Sequence, residues 1–366
     1  MIPYSSSLNI PFIQYLDANG EAIQQLPDWV NEKSPLIQYY RAMVISRQGD
    51  QKAIALQRTG KMGTFPSCLG QEAISAVYGS VLNKEDVLIP YYRDLSGLMA
   101  RGVSLSDVYL YWGGDERGNS SPAWHQDLPH CVPIATQTSH AVGVASAFKI
   151  RQEARVALCA LGDGATSKGD FSEALNLAGV WQLPVVFVIN NNQWAISVSR
   201  AIQSGAPTLA QKGIAAGLPS IQVDGNDVLA LHEVIKESID RARRGKGATV
   251  IEAISYRLCD HTTADDASRY RSSEELKEAW QKEPIKRLRN FLYHRGWWDE
   301  KKEQMLKKEA ETIVEKAVKT YLNTPLPSVA DLFDYHYAST PKNLIEQKQK
   351  AIQRAEDRAK YNKGVH

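Results

Sequence analysis

An α/β architecture, a parallel sheet with helices on both faces, follows from three observations. Short β-branched runs alternate with helical patterns through the middle of the chain, which is the grammar of βαβ units. Glycine-containing turns stand where those strands give way to helices. The chain, 366 residues with 43% hydrophobic and 23% charged content, is long enough to bury a full core on both faces of such a sheet.

The elements follow in order. The opening stretch to about Ser34 carries Pro3, Pro11 and Pro27 with little periodicity, and Pro35 follows directly; it reads as an extended arm with room for a short strand, packed on a partner or a neighbouring domain. From Leu36 to Arg58 apolar residues recur at three- and four-residue intervals (Leu36, Tyr40, Met43, Val44, Ala55), the period of a long amphipathic helix. Gly60 to Pro66 ends it. The βαβ region then runs as a strand Arg155 to Leu161, a helix Gly169 to Gln182 and a strand Val185 to Asn190. A strand near Ile221 to Val223 follows, then a helix opened by Asp224-Gly225-Asn226-Asp227 and running to Arg244, and a strand Thr249 to Tyr256. Arg257 to Ser273 has no apolar period and is rich in Asp, Thr, Ser and Arg, the composition of a functional surface loop. Helices resume from Ser273, and the charged tail from Asn343 to His366 reads as a solvated helix. The organisation expected is an arm over 1–35, an α/β domain over 36–275 and a helical extension over 276–366.

Composition narrows the partners. With 43 Lys and Arg against 41 Asp and Glu, the net charge of +2 gives no basic field for nucleic acid or an anionic membrane. Cys68, Cys131, Cys159 and Cys259 form no CxxC pair, so neither a zinc site nor a disulfide framework is indicated. The start resembles neither a signal peptide nor a mitochondrial presequence, and no run of about 18 apolar residues occurs. A bacterial-type cytoplasmic protein is the expectation.

The chemistry-bearing constellation lies at two strand ends. Gly162-Asp163-Gly164-Ala165-Thr166 follows one strand directly, which places a carboxylate where open α/β sheets bind ligands and where loop amides face phosphates. Alone, an Asp between glycines after a strand is often only a turn. The next strand ends in Asn190-Asn191-Asn192, and a right-handed crossover sets neighbouring strand ends side by side. One carboxylate, one amide oxygen and a main-chain carbonyl, completed by diphosphate oxygens and water, describe an octahedral magnesium site.

Gly162-Asp163-Gly164, a spacer, then Asn191-Asn192 resembles the thiamine diphosphate motif. The surrounding stretches GDGATSKGDFSEALNLAGVWQLPVVFVINNNQWAIS, IQVDGNDVLA and YRLCDHTTADDASRYRS resemble the alpha subunits of pyruvate and branched-chain 2-oxo acid dehydrogenases, a likeness extending from about Leu36 to Tyr335. The resemblance implies the diphosphate-binding domain of the thiamine diphosphate fold. It implies Asp163 and Asn192 as magnesium ligands by side chain, and Trp194 through its carbonyl. Gly162 would belong to the cofactor site, Gly164 and Ala165 would offer amides to the diphosphate, and Tyr92 and Arg93 would contact the cofactor, the guanidinium as a fork on the diphosphate. Without the resemblance Arg93 would read as a surface salt bridge with Asp94. Val132 carbonyl and Ile134 amide would hold the aminopyrimidine. The same segment supplies potassium in branched-chain relatives, but Cys131 stands where a serine oxygen is expected, and a soft thiol ligates a hard cation poorly. His261 matches the catalytic loop histidine, holding diphosphate and loop and exchanging a proton as the acyl group passes to lipoyl sulfur; His125, His130 and His140 are not assigned roles.

The resemblance further implies a beta subunit in an α2β2 heterotetramer, since no glutamate for the pyrimidine and no second α/β domain are found in this chain, and docking to a lipoyl acyltransferase core. The implied reaction is thiamine diphosphate-dependent oxidative decarboxylation of a 2-oxo acid. Pyruvate is the substrate chosen on the wording His261-Thr262-Thr263-Ala264-Asp265-Asp266. Gly296-Trp297-Trp298-Asp299 and Val223 to Asp227 are similar to branched-chain enzymes, and acetoin dehydrogenases share the motifs. Two other readings compete. A nicotinamide-dependent oxidoreductase is disfavoured because Gly162, Gly164 and Gly169 do not make GxGxxG. A non-catalytic assembly subunit is disfavoured by the intact Asp163, Asn192, Arg93 and His261.

Overall fold

The computed structural model describes residues 9–120 and 126–363, so the first eight residues of the arm and His125 lie outside the described residues. Its strands are β1 (Phe12–Ile13), β2 (Val87–Ile89), β3 (Ala157–Gly162), β4 (Val185–Asn191), β5 (Trp194–Ala195), β6 (Val198–Ser199), β7 (Ser220–Asp224) and β8 (Thr249–Ile254). Six of them form one sheet in the order β1-β7-β8-β4-β3-β2, every pairing parallel, while β5 and β6 make a separate antiparallel pair. The expected α/β sheet is thus present. In dinucleotide-binding folds the first strand lies at the centre of the sheet; here β1 and β2 occupy its two edges.

Alternation along the strands builds two cores. Ala157, Cys159 and Leu161 of β3 and Val185, Phe187 and Ile189 of β4 face one side, joined by Phe148 of helix Thr136–Ile150 and Phe171 of helix Gly169–Val180. Leu158, Ala160, Val186 and Val188 face the other, against helices Lys33–Arg58, Glu72–Val81, Val228–Arg243 and Pro284–His294. Successive side chains of a strand point to opposite faces, so strands buried on both sides read as continuous apolar runs.

Three local features depart from the sequence reading. Helix Lys33–Arg58 starts before Pro35, which occupies its first turn, where the missing N–H is not needed. Strand β2 carries too few residues to show a period, and it exists because Val87, Leu88 and Ile89 pair with Ala157, Leu158 and Cys159. The arm closes the edge of the chain's own sheet: Phe12 and Ile13 pair with Gln222 and Val223, and the amides of Tyr15 and Leu16 donate to Asp227 Oδ2 at 2.6 and 2.7 Å. Asp227 is also the N-cap of helix Val228–Arg243, accepting from Leu229 and Ala230.

The chain forms two compact units, Met1–Tyr321 and Leu322–His366. In the second, helix Lys342–Lys363 is the charged helix expected of the tail, with Lys350 bonded to Glu346 one turn away.

Candidate functional site

Asp163 leaves β3 as the first residue of a 3-10 turn, Asp163–Ser167, and Asn192 follows the last residue of β4. The pairing of Gly162 with Asn190 brings the two strand ends level. Both side chains are buried, Asp163 at 2% exposure and Asn192 at 4%, and both line one cavity of about 310 Å³. Burial pushes the Asp163 carboxyl up to about 6, against the lowering influence of nearby amides and of Arg257 and Arg93. Its Oδ2 is buried without a partner. A buried polar atom without a bond is costly, and Asp163 lines a cavity in which a cation would satisfy it.

Every residue singled out from the sequence lines this cavity: Tyr92, Arg93, Val132, Ile134, Gly162, Asp163, Gly164, Ala165, Asn192, Trp194 and His261. They come from five segments that are distant in sequence. Tyr92 and Arg93 lie just beyond β2, tied there by the bridge between Tyr91 and Cys131. Val132 and Ile134 precede helix Thr136–Ile150, with side chains 44% and 42% exposed. A Cβ on Gly164 would stand 3.0 Å from that of Ala195 on β5, a tight approach that a side chain there could make only if β5 gave by a few tenths of an ångström. His130 sits elsewhere, stacked on Tyr111 at 4.8 Å, and His140 is exposed.

The backbone around the cavity is strained. Ala135, Gln193 and Ile196 all have positive φ, at 67°, 72° and 55°. A β-branched residue rarely takes this conformation, and such outliers persist where the surroundings over-determine them, commonly at ligand sites. Ile196 begins the two-residue loop that joins β5 to β6.

Arg93 is not the surface salt bridge that its neighbour Asp94 suggested. It is 3% exposed and donates to Ser67 carbonyl at 2.5 Å, to His261 carbonyl at 2.7 Å and to His261 Nδ1 at 3.0 Å. Asp94 turns away, accepting from Tyr91 N. A second guanidinium, Arg257, is fully buried and donates to the carbonyls of Trp194 at 3.1 Å and Ile196 at 2.9 Å and to Tyr270 Oη at 2.8 Å. Among the described residues neither arginine forms an ion pair with a carboxylate. Two buried cations without counter-ions favour an anion nearby, because an uncompensated buried charge is costly. Both also face His261 Nδ1, Arg257 at 3.5 Å. Burial first, then the two guanidiniums, lower the imidazole to about 4. Guanidiniums only donate, so Nδ1 is the acceptor and the ring proton resides on Nε2.

Arg257 escaped the sequence reading although it stands in the quoted YRLCDHTTADD stretch; an arginine before a polar loop carries no signal of burial. Gln71, Tyr91, Gln137 and Gln203 also line the cavity or its wall without any sequence signal. Trp194 carbonyl, expected as a metal ligand, has one lone pair engaged by Arg257. The donor set nevertheless fits a magnesium-diphosphate group: an orphan carboxylate oxygen, an amide, a carbonyl with a remaining lone pair, and unpaired guanidiniums.

Comparison with known proteins identifies the family. Residues 40–330 match the family described as Dehydrogenase E1 component. The chain is 40% identical over 354 residues to the pyruvate dehydrogenase E1 component subunit alpha of Acholeplasma laidlawii, covering 95% of this chain and 100% of that protein. It is 40% identical over 338 residues to the protein of the same name from Staphylococcus aureus, covering 92% and 91%, and 39% identical over 338 residues to that of Staphylococcus epidermidis. A match over most of the chain, with relatives aligned nearly end to end, shows that this chain belongs to the dehydrogenase E1 component family.

Proposed function

We propose that this chain is the alpha subunit of a pyruvate dehydrogenase E1 component, an oxidoreductase that decarboxylates pyruvate with thiamine diphosphate and passes the acetyl group to a lipoyl acceptor. The observation that carries the reading is the buried Asp163, with its unpartnered oxygen, in one cavity with Asn192, Arg93 and His261. The names of the relatives favour pyruvate over branched-chain substrates and acetoin. Bound there, thiamine diphosphate supplies the electron sink that loss of carbon dioxide from a 2-oxo acid requires.

The residues divide the remaining work. Asp163, Asn192 and the Trp194 carbonyl hold magnesium. Arg93, Tyr92 and the amides of Gly164 and Ala165 take the diphosphate beside Gly162, and Val132 carbonyl and Ile134 amide orient the aminopyrimidine. His261 is neutral at pH 7 and presents Nε2–H as a hydrogen-bond donor, its tautomer set by Arg93 and Arg257. In this reading 36–275 is the cofactor-binding region, preceded by the arm 1–35 and followed by the helical extension 276–366. A beta subunit supplies the glutamate for the aminopyrimidine and the second α/β domain, in an α2β2 heterotetramer docked on a lipoyl acyltransferase core in the cytoplasm. Among the described residues no helix is long and apolar enough to cross a membrane.

The test is reconstitution with the beta subunit. Thiamine diphosphate with Mg²⁺ should raise the unfolding temperature where NAD does not, and pyruvate should reduce an artificial electron acceptor faster than 2-oxoisovalerate. Absence of the thermal shift would remove the cofactor assignment, and a preference for 2-oxoisovalerate would move the chain to the branched-chain enzymes.

A further inference from the structure

Asn192 ends a chain of hydrogen bonds built from residues that the proposed reaction does not use. Its Oδ1 accepts from Trp194 N at 3.2 Å, and its Nδ2 donates to Gln71 Oε1 at 2.9 Å. Tyr91 Oη also donates to Gln71 Oε1, at 3.5 Å, and itself accepts from Asn190 Nδ2 at 2.7 Å. Asn190 Oδ1 in turn accepts from Ser255 Oγ at 2.6 Å. Gln71, Tyr91, Asn190 and Asn192 are all buried, at 4% exposure or less.

The direction of this chain is set by its one unambiguous member. A backbone N–H can only donate, so Trp194 N requires Asn192 to present its oxygen on that side and its NH₂ to Gln71. Gln71 must then offer Oε1, which leaves Gln71 Nε2 buried without a partner. An unsatisfied buried amide is a cost that the opposite orientation of Gln71 would not relieve, because it would set two NH₂ groups against each other. Tyr91 has a single proton, and by accepting from Asn190 it is left to give that proton to Gln71, across a long contact of 3.5 Å.

We propose that Gln71 is a positioning residue for the metal site: its Oε1, opposite Trp194 N, holds the NH₂ end of the Asn192 amide so that the oxygen, and not the NH₂, is offered to the divalent ion. Tyr91 acts through Gln71 by fixing which end of that amide faces Asn192. The inference rests on the proposed function, since it presupposes a metal ion held by Asn192. It adds a reason for the buried glutamine at the start of helix Glu72–Val81, remote in sequence from both strand ends.

The experiment uses the full-length chain reconstituted with its beta subunit and Mn²⁺ as probe in the presence of thiamine diphosphate, free Mn²⁺ being read by electron paramagnetic resonance. Gln71→Met keeps length and burial but removes the acceptor, and the Mn²⁺ dissociation constant should rise about tenfold or more, the usual effect of losing a partner behind a metal ligand. Gln71→Glu restores an acceptor and should bind close to the wild type. Tyr91→Phe should weaken Mn²⁺ binding less, and the double variant Gln71→Met with Tyr91→Phe should bind no worse than Gln71→Met alone. Wild-type Mn²⁺ affinity in a folded Gln71→Met protein, or full additivity of the two substitutions, overturns the proposal. Should Gln71→Met not fold, Tyr91→Phe decides: unchanged affinity overturns the proposal, and weakened affinity with unchanged thermal unfolding supports it. Failure of the unsubstituted complex to bind Mn²⁺ with thiamine diphosphate would overturn the functional reading itself, and this inference with it.

Discussion

Asp227 divides its two carboxylate oxygens between two structures, and replacing it should uncouple them. Oδ1 caps helix Val228–Arg243 through Leu229 and Ala230 N, at 3.0 and 3.3 Å, while Oδ2 holds the arm through Tyr15 and Leu16 N. Asp227→Ala loses an N-cap, a cost of about 1 kcal/mol. It also strands the amide of Leu16, which is fully buried; an unsatisfied buried N–H costs about 2 kcal/mol. Tyr15 is half-buried, and water can reach its amide. Burial raises the Asp227 pKa, so part of the loss is offset by removing a desolvated charge, and a net loss of about 2–3 kcal/mol is expected. Asp227→Asn has one acceptor oxygen in place of two, so it can serve the cap or the arm but not both, and it should recover about half of that loss. Urea denaturation of the three proteins measures the loss, and limited proteolysis between residues 9 and 24 reports whether the arm has detached. A loss below about 1 kcal/mol for Asp227→Ala, or wild-type stability for Asp227→Asn, would refute the division of labour.

Arg93→Met should weaken thiamine diphosphate binding by roughly 10- to 100-fold, the worth of one charged hydrogen-bonded contact, by calorimetry on the reconstituted complex. The same substitution removes a cation from His261 Nδ1 and should raise the imidazole pKa from about 4 towards its ordinary value, visible as a shift in the His261 NMR titration. Acid should destabilise the fold through His130, His232 and His261, each lowered to about 4 by burial. Unfolded imidazoles take up protons below about 6.5 while the folded ones do not, so stability is full above that pH and falls as pH drops towards 4. Urea midpoints at pH 7.5 and pH 5 measure the slope, which His232→Phe should reduce; a flat profile would refute it. Gly79→Ala would put a Cβ 2.6 Å from Gly97 carbonyl, where two helices cross closely, and should cost about 1–3 kcal/mol in thermal unfolding.

Length and period decided what could be read without coordinates. The βαβ segments around β3, β4, β7 and β8 were legible because continuous apolar runs and bounded helices carry their own signal, and the Asp163 and Asn192 strand ends followed from them. The family resemblance added Tyr92, Arg93, Val132, Ile134 and His261, which no pattern of spacing would have chosen. Tertiary structure alone decided the rest. Strands β1 and β2, of two and three residues, are held by their partners and have no period of their own. Burial of Arg93 and Arg257 against carbonyls, and the Gln71 and Tyr91 links behind Asn192, depend on groups meeting from separate segments, in the cases of Arg93 with His261 and Gln71 with Asn192 from more than a hundred residues away. The chain by itself thus determined the longer elements and which two strand ends meet. Which polar groups lose their water, and so which pKa values move and which amide orientations are enforced, was decided by packing, because desolvation belongs to a place in the fold and not to a residue type.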